Sequence, residues 1–225
     1  MIIDLPTKFY YEKDGSKAFV DNEILYCENN VSFERLMYHT TYELRGKSTC
    51  YYCGCELNEE NRTLDHMYPR DFGGVSITNN LVPCCTNCNQ KKNNLTLYEF
   101  FDYMNVQDAK KRKQYKSELL HRHEEYRYEK GFYLPDNWYE YTSDRIYAEI
   151  LLTEEYKQGK RYNFIREFYT KYGHLPRPVI KSANNRLLDG FLVLLFAKEN
   201  QIEQIPCMKL QNVIAVSYTH LRAHE

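Results

Sequence analysis

Two pairs of cysteines with metal-ligand spacing frame the part of the sequence that is richest in reactive side chains. Cys50 and Cys53 stand in CYYC, and Cys85 and Cys88 stand in CTNC. A C-x-x-C pair holds two thiolates at the separation of one edge of a Zn²⁺ tetrahedron, with Zn–S bonds of about 2.3 Å. Four sulfur ligands leave no open coordination position, so the pattern predicts a structural zinc ion. Cys55 does not fit this spacing and is interpreted as a spare thiol.

The segment between the two pairs is longer than a minimal zinc ribbon requires. Its polar and turn-forming residues, together with the one that directly follows the second pair, are Asp65, His66, Pro69, Gly73, Gly74, Asn80 and Asn89. The two glycines allow the chain to reverse between two strands. An Asp-His pair alone is usually a surface turn, and four cysteines alone most often indicate a zinc ribbon without catalysis. The ordered combination favours a catalytic site.

This order resembles the HNH endonuclease family. The shared pattern is C-x-x-C, then D-H-x-x-P-x-x-x-G-G, then N-L-x-x-x-C-x-x-C-N-x-x-K, and it covers roughly residues 48–94, about a fifth of the chain. Asn89 stands at the last H of the family name, which is a common variant. The resemblance implies a zinc-stapled ββα-metal fold and hydrolysis of phosphodiester bonds in DNA, with RNA as the alternative substrate.

The resemblance also implies a role for each polar residue of the motif. His66 is expected to be the general base that takes a proton from water, because an imidazole titrates near neutral pH. Asp65 and Asn89 are expected to hold one Mg²⁺ or Mn²⁺ through oxygen ligands. Asn80 is expected to fix the loop and ring direction of His66.

Basic residues near the motif are candidates for contact with a nucleic-acid backbone. Lys91 and Lys92 follow Asn89, which is expected to open a short helix, and Lys92 is the better match to the basic position of the family. The most basic stretch of the chain lies further on, at Lys110, Lys111, Arg112, Lys113, Lys116 and Arg122. A charge run of this kind is usually a solvated helix face. Beside a nuclease site it becomes a plausible track for phosphates.

The elements that must position these residues follow from apolar periodicity and from turn residues. Residues 32–46 predict a helix that begins at Ser32 and ends at Gly46. Helical patterns also cover 95–130 and 143–172, and short strands and a helix alternate from 178 to 214. The predicted units are a strand and helix extension at 1–45, the nuclease domain at 46–97, a helical region at 98–172 and a small αβ segment at 173–214.

The last of these units resembles, more loosely, the ParB-like domains. The shared features are Leu188-Asp189-Gly190, Ala197-Lys198 and Ile205-Pro206, but Val193 replaces the arginine that this family uses to bind phosphate. Asp189 is predicted to cap the helix, whose buried face would include Leu192, Leu195 and Phe196. The segment is therefore interpreted as a packing or partner-recognition unit rather than a catalytic one.

Composition limits the class of protein. The net charge is −1, so nucleic-acid binding must come from local patches, and 43% hydrophobic residues indicate a folded chain. No apolar run is long enough to span a membrane, and the start lacks a secretion signal, so a reducing cytoplasm is expected. VSYTHLRAHE at 216–225 resembles translated sequencing-adapter DNA, and 215–225 is treated as a non-native tail.

These observations predict an α+β protein with a zinc-stapled ββα-metal core, flanked by helices and a small αβ segment. Its predicted function is metal-dependent cleavage of DNA. The alternative is a non-catalytic zinc module that binds nucleic acid through the basic stretch. A toxin or defence effector would share the chemistry and differ in its biological use.

Overall fold

The chain folds into helices and small sheets. A computed structural model describes residues 10–13, 16–28, 32–131, 141–144 and 158–216. Three sheets and six α-helices are found in these residues, which confirms the predicted α+β class. No helix in the described part of the chain combines the length and apolar character that a membrane crossing needs.

The first sheet joins the two ends of the described chain. Its strands are β1 (Tyr10–Lys13), β2 (Ser16–Asp21), β3 (Ile24–Glu28) and β10 (Val213–Val216). The first three form an antiparallel meander, and β10 pairs with β3 in parallel, in the order β1-β2-β3-β10. The first two residues of the predicted tail therefore lie in a strand, and 217–225 lie outside the described residues.

Helix α1 (Phe33–Arg45) packs beside this sheet and agrees with the helix predicted at 32–46. The helix is capped by Gly46, which has a φ of 78° and whose backbone N–H donates to the carbonyl of Tyr42. Glycine suits this position because a side chain would be strained at positive φ. Ser32 precedes the helix, but its side chain makes no capping hydrogen bond.

The cysteine-containing segment forms a hairpin followed by a helix. Strand β4 (Arg62–His66) pairs antiparallel with β5 (Leu81–Cys85), so that His66 lies opposite Leu81. Helix α2 (Thr86–Lys92) follows β5 directly. Between the strands the chain turns at Gly74, where an added Cβ would lie 1.9 Å from the carbonyl oxygen of Tyr68. Only glycine permits this close backbone approach, which sets the shape of the loop after His66.

Two helices with a short break follow. They are α3 (Leu97–Asn105) and α4 (Ala109–Lys130), in place of one uninterrupted helical pattern over 95–130. Thr96 and Glu99 form a capping box at the start of α3, and the Asp108 side chain accepts from the amide of Lys111 at the start of α4. These local caps compete with helix continuation, which explains the break.

The C-terminal unit combines a four-stranded sheet with two helices. Its elements are β6 (Tyr141–Asp144), α5 (Lys160–Tyr172), β7 (Val179–Lys181), β8 (Leu187–Asp189), α6 (Phe191–Glu199) and β9 (Ile205–Lys209). The strand order is β6-β9-β7-β8. The helix predicted at 143–172 is thus observed only from Lys160, and 145–157 lie outside the described residues. Its end at Gly173 agrees with the prediction.

The start of α6 differs from the predicted cap. Gly190, with a φ of 95°, holds the capping position, while Asp189 accepts from the Gly190 amide and pairs with Arg177. The prediction of Asp189 as the helix cap is therefore wrong, because its carboxylate is held by the arginine. Phe196 is buried as predicted, together with Val193, Leu194 and Ala197. Leu192 and Leu195 are only half buried.

One apolar core connects three of the predicted units. It contains Leu25 and Met37 from the N-terminal extension, Val75 and Leu81 from the hairpin, and residues of the C-terminal segment such as Met208. Because these side chains pack together, the loop after His66 is held from the N-terminal and C-terminal sides at once. A second apolar cluster lies within the C-terminal unit, and a third lies around the cysteines.

Candidate nuclease site

A cluster of cysteine sulfurs lies at the base of the hairpin. The Sγ atoms of Cys50, Cys53, Cys55 and Cys85 all lie within 4.8 Å of one another. The Cys53 and Cys85 sulfurs are 3.9 Å apart, close to the edge of about 3.8 Å that follows from Zn–S bonds of about 2.3 Å. The cluster is therefore compatible with a zinc site.

Backbone amides contact the cysteine sulfurs and favour thiolate formation at Cys50. The amide of Cys85 donates to the Cys50 sulfur at 3.3 Å, and the amide of Cys88 donates to the Cys85 sulfur at 3.4 Å. Burial opposes ionisation of Cys50, but the backbone N–H groups of Cys53, Cys85 and Tyr52 outweigh it and lower the pKa of Cys50 to about 7. A lowered thiol pKa prepares the sulfur to bind a metal ion.

Five sulfurs are close enough to compete for four positions on a zinc ion. Cys55, interpreted from the sequence as a spare thiol, is in the group of four. The predicted ligand Cys88 lies outside that group, although its thiol interacts with those of Cys85 and Cys53. Spacing alone did not reveal Cys55 because the turn at Gly54, with a φ of 70°, brings its sulfur back to the cluster.

An open cavity of about 430 Å³ lies against the other side of the hairpin and α2. Three of the predicted catalytic residues, Asp65, His66 and Asn89, line it. The remaining lining residues are Thr63, Pro69, Arg70, Asp71, Thr86, Gln90, Asn93 and Asn94. An acid, an imidazole and an amide oxygen thus share a cavity with an arginine, which is a set of groups suited to binding a metal ion and a phosphate.

Asp65 is held by two partners, the half-buried Tyr52 and the fully buried Lys92. The Tyr52 hydroxyl donates to its Oδ2, and Lys92 Nζ lies 2.9 Å from the same oxygen. Oδ1 receives neither bond. Burial raises the pKa of Asp65 and lowers the pKa of Lys92, and the ion pair between them partly offsets both shifts. The carboxylate is therefore fixed in place by bonds to Oδ2.

Lys92 does not have the role predicted for it. Its side chain is 0% exposed, and its Nζ also donates to the backbone carbonyl of His66 at 2.7 Å. A buried lysine that is already bonded to Asp65 cannot contact a nucleic-acid backbone. The prediction of Lys92 as a phosphate contact is corrected accordingly: it joins α2 to β4 and positions the Asp-His pair. Lys91, the preceding residue, is exposed.

His66 follows Asp65 at the end of β4 and is bonded through one ring nitrogen. Its Nε2 lies 2.9 Å from Oγ of Ser76. Burial, followed by the positive charges of Arg70, Lys92 and Arg177, lowers the pKa of His66 to about 3. The imidazole is therefore neutral at physiological pH, which is the form that can accept a proton.

Asn80 lies beneath the cavity rather than in it. Its side chain is completely buried, accepts from the amide of Tyr68 at 2.7 Å and donates to the carbonyls of Tyr68 and Val75, each at 3.0 Å. These bonds tie together the two ends of the loop that follows His66. They agree with a residue that fixes the loop without touching the reacting groups.

Asn89 lies in the middle of α2, because that helix begins at Thr86. The prediction that Asn89 opens the helix is therefore wrong, and Cys85 caps it instead. Its Nδ2 donates to Oγ1 of Thr63 at 3.3 Å, which leaves Oδ1 as its ligand atom. Oδ1 of Asn89 and Oδ1 of Asp65 are both hard oxygen donors on one cavity, so the residues present fit a small divalent cation.

The predicted basic stretch lies on α4, apart from the residues that line this cavity. Lys110, Lys111 and Lys113 are exposed, whereas Arg112 folds back and donates to the carbonyl of Val106. A second open cavity of about 440 Å³ lies beside them and includes Tyr103. The two cavities share no lining residue, but Lys116 donates to the carbonyl of Lys91 at 3.2 Å and so joins α4 to the end of α2.

Three residues that contact the site were not recognised in the sequence. Tyr52 holds Asp65, Ser76 contacts His66, and Glu34 on α1 contacts Ser76. Tyr52 lies inside the first cysteine pair and Ser76 lies two residues after the Gly-Gly turn, so position in the motif could have identified them. No local signal identifies Glu34, because it lies 42 residues from its partner.

Comparison with protein families supports the resemblance seen in the sequence. Residues 50–102 match the family model described as HNH endonuclease, which confirms the interpretation of this segment. The match includes the cysteine cluster and the residues from Asp65 to Asn89. No curated protein matches the chain.

Proposed function

We propose that this chain is a metal-dependent endonuclease that hydrolyses phosphodiester bonds in DNA, through the segment that matches the HNH endonuclease model. The observation that supports it most strongly is the shared cavity of Asp65, His66 and Asn89. In the sequence these residues are separated by up to two dozen positions. The hairpin and α2 bring them to one surface.

The catalytic metal would be held by Asp65 and Asn89. Each presents an oxygen, Oδ1, that accepts none of the side-chain bonds described above. When bound, Mg²⁺ or Mn²⁺ supplies charge neutralisation for the phosphate oxygens and the departing 3′ oxygen. Neighbouring side chains orient both ligands: Tyr52 and Lys92 hold Asp65, and Thr63 holds Asn89.

Side chains of the protein supply the remaining chemistry. His66 is neutral and lines the cavity, so it accepts a proton from the attacking water as general base. Arg70 lines the same cavity and provides a planar cation for a phosphate oxygen. Asn80 and Gly74 maintain the loop that carries these groups. The cysteine cluster holds a structural Zn²⁺ that takes no part in the reaction.

The exposed basic side chains of α4 would bind the nucleic-acid backbone and direct it toward this cavity. Lys110, Lys111 and Lys113, with Lys91 on α2, can each neutralise a phosphate. Binding through such contacts weakens steeply with salt and is independent of sequence. DNA is the proposed substrate, and RNA is tested beside it.

The experiment is a cleavage assay on supercoiled plasmid, single-stranded DNA and RNA, with Mg²⁺, with Mn²⁺ and with chelator. The His66→Ala variant is expected to lose at least about 100-fold in rate, the scale of general base catalysis. His39→Ala is the matched control, because His39 is an exposed histidine on α1. Absence of metal-dependent product from every substrate would exclude the proposal.

A second candidate function is nucleic-acid binding without turnover. It is favoured by the fact that the cavity beside the basic side chains of α4 shares no lining residue with the cavity at His66. In that case binding would persist in chelator, would weaken in a variant that replaces Lys110, Lys111 and Lys113 by Gln, and would yield no product in Mg²⁺ or Mn²⁺.

A further inference from the structure

We propose that Glu34 and Ser76 form a hydrogen-bond chain that positions His66, so that helix α1, outside the segment matched to the family, completes the nuclease site. The inference rests on the proposed function, in which His66 is the general base. Both residues act through His66 and are positioning residues. In this hydrogen-bond chain, Nε2 of His66 is the ring nitrogen that carries a hydrogen, and Nδ1 is the one that accepts the proton from water.

The distances support this chain. His66 Nε2 lies 2.9 Å from Ser76 Oγ, and Ser76 Oγ lies 3.3 Å from Glu34 Oε1. Ser76 is 2% exposed, so water does not compete freely for its hydroxyl. Nδ1 of His66 makes no hydrogen bond to any residue within the described ranges, and the ring lines the cavity.

The direction of the hydrogen bonds follows from the donors available. Glu34 acts as a carboxylate, because its Oε1 is 2.7 Å from Arg70 Nη1, and a carboxylate only accepts. Ser76 has a single hydroxyl hydrogen, which it donates to Glu34. With that hydrogen directed to Glu34, the serine oxygen accepts from His66, and Nε2 carries the ring hydrogen. The opposite arrangement would place two acceptors against each other.

Glu34 is itself held in place. The Tyr38 hydroxyl, one helical turn later on α1, donates to the same Oε1 at 3.0 Å. The Tyr38 ring also lies edge-on to the imidazole, with ring centroids 6.4 Å apart. Because α1 packs into the core shared with the hairpin, the backbone that carries Glu34 is fixed relative to Ser76. This rigidity distinguishes the contact from an adjustable surface ion pair.

The direct test is a ¹H–¹⁵N spectrum of the histidine ring nitrogens, recorded on the zinc-loaded protein without Mg²⁺ or Mn²⁺. His66→Asn identifies the signals of residue 66. The expected result is a pyrrole-like Nε2 whose proton is protected from exchange, and a pyridine-like Nδ1. Ser76→Ala and Glu34→Ala should each lose that protection. Arg70→Gln, which removes the ion pair to Glu34 and the cavity cation but leaves Ser76 and Glu34 in place, should retain it.

Two spectroscopic outcomes would overturn the inference. One is a pyridine-like Nε2 in the wild-type protein. The other is an Nε2 proton that stays equally protected in Ser76→Ala. Zinc content and thermal unfolding of each variant show whether it is folded. Should Ser76→Ala fail to fold, Glu34→Ala decides the question, because its side chain lies on the outer part of the chain and is half buried.

Kinetics provide a second and independent readout. Ser76→Ala and Glu34→Ala should lower kcat about tenfold with unchanged KM, less than the loss expected on removing the base itself. Glu43→Ala is the matched control, since Glu43 lies on the same helix with its side chain 48% exposed and paired with Lys47. Unchanged kcat in both variants would overturn the positioning role. If the wild-type protein shows no cleavage, the proposed function fails, and the spectra alone decide whether the hydrogen-bond chain from Glu34 through Ser76 to His66 exists.

Discussion

The segment at residues 50–102 and the C-terminal unit from Lys160 onward are of similar size and are held together in different ways. The first buries the polar side chains of Asp65, Asn80 and Lys92 and also contains the cluster of cysteine sulfurs. The second buries an apolar cluster in which Val179, Leu194 and Phe196 are almost fully enclosed.

This difference shows how a small segment can fold and still contain a functional cavity. An apolar core in a segment of this size supplies limited stability on its own, and in residues 50–102 a few directional contacts supplement it. The bonds from Tyr52 and Lys92 to Asp65 also hold a residue of the cavity in place. In the C-terminal unit the buried side chains are mainly apolar.

Removal of zinc is the change that should separate the two regions most clearly. Structural zinc contributes about 10 kcal/mol or more to the folding of small domains. Prolonged treatment with a strong chelator should therefore remove hydrogen-exchange protection from β4, β5 and α2, while α5 and α6 keep theirs. Zn²⁺ added back should restore protection, and Mg²⁺ should not. Equal loss in both regions would contradict the comparison.

Lys92→Ala should have the next largest effect. It leaves Asp65 buried without its cation, and breaking a buried pair from one side costs about 3–5 kcal/mol. The measurement is chemical denaturation followed by far-ultraviolet circular dichroism. Lys91→Ala is the control, because the adjacent side chain is exposed and should change stability by less than about 0.5 kcal/mol. Equal effects of the two substitutions would show that Lys92 is not an internal tether.

Leu194→Ala tests the apolar region in the same way. The side chain is 2% exposed, and its truncation should cost about 2–5 kcal/mol through lost burial and a cavity. Phe191→Ala on the same helix is the control, since Phe191 is 45% exposed. The loss for Leu194→Ala should be the same with and without zinc. A loss that depends on zinc would mean that the two regions unfold as one.

The smallest expected effect is the response of the C-terminal unit to acid. Burial opposes ionisation of Asp189, but the paired Arg177 outweighs it and lowers the pKa of Asp189. A carboxyl whose pKa is lower in the folded state stabilises above its unfolded value, about 4, and this contribution is lost as pH falls through the folded value. Melting temperatures of the wild type and Asp189→Asn, measured from neutral pH to about pH 3, should converge in acid. The pair is partly exposed, so about 1 kcal/mol is the upper limit.

The sequence contained enough information to locate the site and several elements. Gly46 and Gly173 end helices where predicted, because glycine at positive φ is a local requirement. Asp65, His66 and Asn89 occur together on one cavity because their spacing belongs to a hairpin followed by a helix. These features depend on neighbours close in the chain.

Contacts between distant segments could not be predicted in this way. Lys91 and Lys92 are adjacent residues of the same type. Only the orientation of α2 in the fold makes Lys91 exposed and Lys92 buried. Glu34 reaches Ser76 because α1 packs on the hairpin. Cys55 joins the sulfur cluster because of one turn. In each case the tertiary arrangement, and not the residue type, determines the role.

The parallel pairing of β10 with β3 has a consequence for synthesis on the ribosome. Val213 must lie opposite Leu25 before the first sheet is complete, so all the residues between them are made while one side of β3 still lacks its neighbour. An unpaired strand edge can recruit strands of other molecules. The nascent protein therefore passes through a period in which self-association competes with closure, and slower translation of the last third should lower the yield of monodisperse product.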